Sequence, residues 1–253
     1  MHRFYVPAQQ CKAPALFLAG PEAHHALHVL RVRRGERVAV LDGAGHEFLC
    51  QVQEHDRDKI RLSIAEERFV PPSHSQITLL QALPKGKIIE SIIQKATELG
   101  ASRIVPVLTE RVVTRFEQRE TGRKSSKWQA IAVEAIKQCG GAWLPQVETP
   151  ITLKQFLARK EKFELALVGS LQAGSRHPRE YFRAFQTERG RLPESVCVWI
   201  GPEGDFTPAE LAAIQSHGAR PITLGRLVLR TDTAAVYCLS VVNYELTYSA
   251  GFP

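Results

Sequence analysis

Residues 196–219 read VCVWIGPEGDFTPAELAAIQSHGA, an apolar run that stops at Gly201 and gives way to a helical pattern beginning near Pro208. A short apolar run bounded by glycine suits a strand buried on both faces, and a strand feeding a helix is the repeating step of an α/β domain. Both ends of the helix are legible: Thr207 with Glu210 makes a capping box, Pro208 suits the first helical position, and Gly218 suits the C′ position. Between strand and helix lie Gly201, Pro202, Glu203, Gly204 and Asp205. The glycines of this loop allow close backbone approach to a ligand, although a tight turn whose glycines serve only their φ angles would read the same way.

The pattern extends outward from this stretch. QITLLQAL, RIVPVL, ELALVG and PITLG are further buried-strand runs. Between them, KIIESIIQKATELG places Ile88, Ile89, Ile92, Ile93, Ala96 and Leu99 on one helical face, with Gly100 for a left-handed end. SSKWQAIAVEAIKQCGG gives a second helix, capped by serine and ended by Gly140, apolar at Trp128, Ile131, Ala132, Ala135, Ile136 and Cys139. A largely parallel sheet is expected, with its ligand outside the carboxyl ends of strands that stop in glycine. Neither a GxGxxG nor a GxxxxGK[ST] run follows any strand, which argues against the usual nucleotide-phosphate sites. The last segment, PITLGRLVLRTDTAAVYCLSVVNYEL, is strand, glycine, an apolar stretch with two arginines, then a helix that Thr231 or Asp232 could cap. Arg230 sits where the helix macrodipole disfavours a cation. Either it pairs with a carboxylate such as Glu203 or Asp232, or it has another use.

Before this domain the runs VAVLDG, EFLCQVQEH and KIRLSIAEE read as strands, with Asp42-Gly43 as a turn. VPPSHS, residues 70–75, cannot continue a central strand or a helix, so it reads as a linker. The division is therefore a β-rich module over 1–70 and an α/β domain over 76–253. A net charge of +7 favours a polyanionic partner. Arg31, Arg33, Arg34 and Arg37 form one basic cluster. Arg111, Arg115, Arg119, Arg123, Lys124 and Lys127 form another, whose arginines recur every fourth residue, although Thr114 and Gly122 weigh against a regular helix there. Five scattered cysteines without a CxxC pair suggest neither disulfides nor zinc, and His24 with His28 lacks a supporting ligand, so no metal is expected. No apolar run approaches the roughly 18 to 20 residues that span a bilayer, and no export signal opens the chain, so a soluble cytoplasmic protein is expected.

The motifs GPEGDF–TPAE and LGRLVLRTDTA resemble the two carboxyl-terminal motifs of the ribosomal RNA uridine-N3 methyltransferases, the RsmE family of the SPOUT superfamily. The resemblance extends to LPKGKIIESIIQKATELGASRIVPVLTERVV, to KWQAIAVEAIKQCGG with its LPQV, and to HRFYV with HHALHVLRVRRGE, and so covers nearly the whole chain. It implies a PUA-like β-barrel for RNA over 1–70, then a SPOUT-type domain over 76–253 whose carboxyl-terminal segment forms a trefoil knot. It also implies a homodimer acting on the 16S ribosomal RNA or small subunit. Its cofactor would be S-adenosylmethionine, held by Leu167, Val168 and Gly169, by Ile200, Gly201, Pro202 and Gly204, and by Leu224, Gly225, Val228 and Leu229. Arg230 would stabilise charge on the uracil, with Glu203 or Asp232 taking the proton or orienting Arg230. Arg3, Arg31, Arg33, Arg34, Arg111, Arg115, Arg123 and Lys124 would meet RNA. Two other readings of the same features are a SPOUT methyltransferase for another RNA site and a non-catalytic RNA-binding ribosome assembly factor. The chain departs from the family pattern at Lys137–Gly141, where an acidic residue usually begins and an arginine ends the run, and at Asp232, where glutamate is commoner.

Overall fold

The computed structural model describes residues 1–11, 14–56, 58–111, 118–172 and 174–248, the side chains of 55, 118–121, 123 and 248 excepted. The chain divides into two compact units, one of residues 1–72 with 133–144, the other of 73–132 with 145–253.

The first unit is a five-stranded sheet in the order β1-β3-β4-β5-β2, formed by β1 (Arg3–Tyr5), β2 (Ala15–Ala19), β3 (Arg37–Leu41), β4 (His46–His55) and β5 (Lys59–Phe69). Only β1 with β3 is parallel; the other three pairings are antiparallel. Alternation explains the core: Ile60 and Leu62 of β5 point inward with Leu16, Leu18, Val38, Val40, Cys50 and Val52, while Lys59 and Arg61 face water. The Asp42 carboxylate shapes the β3–β4 turn by accepting the Ala44 and His46 backbone N–H groups at 2.7 and 2.9 Å. A short helix α1 (Gly20–His24) runs into a wider π turn, His25–Leu30, which Arg31 closes in the left-handed region at φ 54°. Residues 133–144 belong to this unit because Gly45 N–H donates to the Ala142 carbonyl and Leu144 N–H to that of Gly43, both at 3.0 Å.

The second unit is a parallel sheet in the order β12-β10-β11-β6-β7-β8, with β9 also on β7. Its strands are β6 (Gln76–Ala82), β7 (Arg103–Leu108), β8 (Gln146–Val147), β9 (Ile151–Thr152), β10 (Leu165–Gly169), β11 (Ser195–Ile200) and β12 (Arg220–Ile222). β6 and β11 are buried almost throughout, as strands covered on both faces must be. The helices are α2 (Ile88–Glu98), α3 (Gln118–Cys139), whose residues from 133 on belong to the first unit, α4 (Leu153–Ala158), α5 (Pro178–Arg189), α6 (Pro208–Ser216) and α7 (Thr231–Tyr248). α7 packs on α2, α5 and β11.

Three details differ from the sequence expectation. Ile88 is 37% exposed, because α2 buries Ile89, Ile92, Ile93 and Ala96 and Ile88 falls at the stripe's edge. α3 begins at Gln118 and runs through Gly122, whose carbonyl accepts the Ser125 and Ser126 hydroxyls; the serines bond backward within the helix and do not cap it. Lys127, counted above in the second basic cluster, pairs with Glu90 of α2 at 2.5 Å. The five cysteines are free, and burial pushes the Cys50 thiol up to about 12, so it behaves as a small apolar residue.

Candidate functional site

β10, β11 and β12 are parallel neighbours, so their carboxyl ends emerge side by side. A cavity of about 360 Å³ opens there, lined by Gly169, Ile200, Gly201, Pro202, Leu224, Gly225, Val228 and Leu229. These residues come from three sequence-distant segments. Leu167 and Val168 are wholly buried behind that wall and do not line it. The cavity further takes in Ser170, Leu171, Gln172, Ser175, Asp205, Thr223, Arg226, Leu227, Thr231 and Ala234, none of which the sequence reading selected. Most lie within a residue or two of a motif glycine; the 170–175 segment carries no motif beyond its strand end.

The loop after β11 owes its shape to its own polar groups. Asp205 adopts the left-handed region at φ 62°, its N–H donating to the Pro202 carbonyl at 2.9 Å and its carboxylate accepting the Phe206 N–H at 2.8 Å. A Cβ on Gly201 would stand 2.8 Å from that carboxylate and 3.3 Å from the Asp205 Cα, so a larger residue would have to displace the Asp205 side chain from its place in the turn. Thr207 and Glu210 form the capping box of α6, and the buried Glu210 also accepts the Glu110 N–H at 2.9 Å. Gly204 lies off the cavity; its carbonyl accepts the Arg111 guanidinium. In the loop before α7, Gly225 is at φ 114°, and its N–H donates to the Thr223 hydroxyl at 3.2 Å.

The charged candidates separate by environment. Glu203 lines the cavity, is exposed, and accepts the Lys85 backbone N–H at 3.0 Å. Arg230 is exposed between two lining residues, Leu229 and Thr231, and makes no ion pair among the described residues. It is paired with neither Glu203 nor Asp232, and Asp232 sits half-buried in the first turn of α7. In the first unit Arg31, Arg33 and Arg34 are exposed and make no ion pair among the described residues, whereas the Arg3 guanidinium donates to the Lys137 and Gln138 carbonyls at 3.3 and 3.0 Å. Lys124 is half-buried in α3. Arg115 and the side chain of Arg123 lie outside the described residues.

Among the described residues no group of three or more metal-ligating side chains occurs, and no helix is long and apolar enough to cross a membrane. The His24 and His28 rings lie with centroids 4.7 Å apart, tilted by 45°, and no third metal-ligating side chain joins them among the described residues. Aliphatic side chains and loop backbone, with Glu203, Asp205 and Arg226 among the lining, suit a ligand that joins an apolar heterocycle to polar or charged groups.

Residues 71–243 match a family model described as an RNA methyltransferase domain, and residues 18–65 one described as an RNA methyltransferase PUA domain. A Bacillus subtilis protein named ribosomal RNA small subunit methyltransferase E is 30% identical, the alignment covering 97% of each chain. A Synechocystis protein of the same name is 32% identical over 96% of this chain and 77% of its own. Among solved structures, a Legionella pneumophila protein in complex with the bound cofactor SAM superposes with a TM-score of 0.85 at 32% identity, covering 98% of this chain and 97% of the other. A Neisseria gonorrhoeae ribosomal RNA small subunit methyltransferase E bound to S-adenosyl methionine superposes with a TM-score of 0.82 at 27% identity, covering 96% of each chain.

Proposed function

The chain belongs to the family of ribosomal RNA small subunit methyltransferases E, and on that footing we propose that it methylates N3 of one uridine in 16S ribosomal RNA. Its activity is S-adenosylmethionine-dependent methylation of small-subunit ribosomal RNA. The observation carrying the assignment is the cavity at the ends of β10, β11 and β12. It is walled by Ile200, Leu224, Val228 and Leu229 and edged by loop backbone, which fits an adenosine moiety recognised through apolar contact and main-chain hydrogen bonds. When bound, the cofactor supplies an electrophilic methyl carbon.

The chain's own residues must make uracil N3 nucleophilic, since that nitrogen carries a proton in neutral uracil. In our reading Arg230 stabilises the negative charge that develops on the uracil oxygens, as an oxyanion donor does. Its exposure and lack of an ion pair leave the guanidinium available. Glu203 and Asp232 are the two carboxylates considered for the N3 proton. Glu203 lines the cavity and has one oxygen engaged by Lys85 N–H; Asp232 lies two residues beyond Arg230. Holding base and cofactor in contact contributes the remaining acceleration through lost translational freedom.

We assign residues 1–70 to RNA docking through Arg31, Arg33 and Arg34, and 76–253 to the chemistry. The trefoil knot belongs to this reading too. Its support is the return of the chain from β12, at the sheet edge beside β10, to Thr231, which touches Gly201 after β11 and Gln81 of β6. A homodimer is proposed on the exposed Leu227 and Val228 at the cavity and on Tyr237 and Tyr244 along α7. A cytoplasmic location is part of the same proposal, since a ribosomal substrate would be met there. Calorimetric titration with S-adenosylmethionine tests the site, and mass mapping of 16S ribosomal RNA from a deletion strain tests the target. Absence of binding, or an unchanged methylation map, would refute the assignment.

A further inference from the structure

Gln81, the next-to-last residue of β6, is wholly buried and plays no part in the sites described above. Its Nε2 donates to the Ala82 carbonyl at 2.9 Å and to the Thr231 hydroxyl at 3.0 Å. Its Oε1 has no partner among the described residues. A buried amide with an idle acceptor is costly, and a methionine of similar length would avoid the cost, so the amide calls for a reason. Turning it over would set Oε1 against the Ala82 carbonyl, which fixes Nε2 toward Thr231.

Having accepted that hydrogen bond, Thr231 has one hydroxyl proton, and it goes to the Gly201 carbonyl at 2.6 Å. Thr231 and Gly201 both line the cavity, and in the sheet Gln81 is registered opposite Ile200. Two wall segments, the end of β11 and the start of α7, therefore meet at one hydroxyl, with the end of β6 behind them.

We propose that Gln81 is a positioning residue for the cofactor cavity, its amide setting the Thr231 hydroxyl so that Thr231 holds the Gly201 carbonyl in the wall. The inference rests on the S-adenosylmethionine reading of that cavity. Gln81 touches no ligand itself; its effect passes through Thr231.

The test is S-adenosylmethionine affinity by calorimetry, with the melting temperature and RNA affinity measured on the same samples. Thr231→Val removes the hydroxyl at constant shape and should weaken binding about tenfold, the scale of one well-placed hydrogen bond. Gln81→Met should weaken it about fivefold, and Thr231→Ser should recover affinity to within about twofold of wild type. The double variant Gln81→Met/Thr231→Val should bind no worse than Thr231→Val, since both act through one group. RNA affinity should not move. Should Thr231→Val fail to fold, Thr231→Ala against Thr231→Ser makes the same comparison. Unchanged cofactor affinity in folded Thr231→Val or Gln81→Met, a lowered melting temperature as the sole effect, or additive losses in the double variant would each overturn the proposal. Wild-type protein that binds no S-adenosylmethionine would overturn the cofactor reading as well, whereas normal wild-type binding with unaffected variants removes only the Gln81 link.

Discussion

Replacing Arg230 with alanine separates stability from chemistry. The side chain is exposed, makes no ion pair among the described residues, and stands immediately before α7, where the positive end of the helix dipole repels a guanidinium. Its loss should therefore change folding stability by no more than about 0.5 kcal/mol and move the melting temperature by under about 2 °C, if anything upward. The backbone it leaves behind stays anchored, because Ala234 N–H still donates to the carbonyl of residue 230 and Thr231 still bonds Gly201. Catalysis should respond differently. Removing a donor that stabilises developing negative charge costs on the order of a hundredfold in rate, about 2.7 kcal/mol of transition-state stabilisation. The assay is single-turnover methyl transfer with both substrates saturating, beside calorimetric cofactor affinity, which should stay at the wild-type value. Arg230→Lys should recover little if the planar, two-pronged guanidinium is what the uracil meets. A wild-type rate in Arg230→Ala, or a rate loss matched by a large fall in melting temperature, would refute the reasoning.

Gly201→Ala should weaken S-adenosylmethionine binding because its Cβ would lie 2.8 Å from the Asp205 carboxylate and displace the loop; calorimetry showing intact affinity in folded protein would exclude this. Arg33→Ala and Arg34→Ala should each lower the dependence of log RNA affinity on log salt by about one unit per lost phosphate contact, readable by fluorescence anisotropy across a salt series. Glu164 is held down at about 2 by the Arg191 guanidinium and then by the Glu194 N–H, so its stabilising contribution is present above its unfolded value of about 4.3 and lost as pH falls toward 2. The melting-temperature gap between wild type and Glu164→Gln, small because the pair is exposed, should accordingly close as pH drops from about 5 to about 2.

Legibility followed the range of the interactions. The buried strands, the Thr207–Glu210 capping box and the glycine-ended helices were readable because each depends on residues close in sequence. Gly169, Gly201 and Gly225 stand out by the same kind of local signal, and the fold brings all three to one cavity. What sequence could not supply was the meaning of contacts between distant segments. Gln81 looks like one more residue of an apolar strand until β6 is set beside β11, and Thr231 looks like a cap until its hydroxyl is seen donating to Gly201. Ser125 misled for a related reason: a serine ahead of an apolar helical run is a cap signal, yet it serves equally well inside a helix when its hydroxyl bonds backward.

The departure at Lys137–Gly141 shows how a changed motif can be answered locally. The Lys137 side chain is only 6% exposed, a costly place for an ammonium, but its Nζ lies 2.7 Å from Glu22 of α1 and 2.8 Å from Glu134 one turn earlier. Burial alone would lower its pKa; the two carboxylates outweigh that and raise it, so the lysine stays charged. The other Glu22 oxygen accepts the Tyr5 N–H, which ties β1 into the same group. Beside it, Arg3 supplies the terminal α3 carbonyls with a cation, the sign that end of a helix favours. Gly140, at φ 80°, leaves room for that guanidinium, since a Cβ there would stand 3.1 Å from an Arg3 nitrogen. Arg3 is thus engaged in holding α3, and a phosphate would have to compete with those carbonyls for it. Arg31, Arg33 and Arg34 are exposed and make no ion pair among the described residues, so under the proposed RNA-docking role they face no such competition.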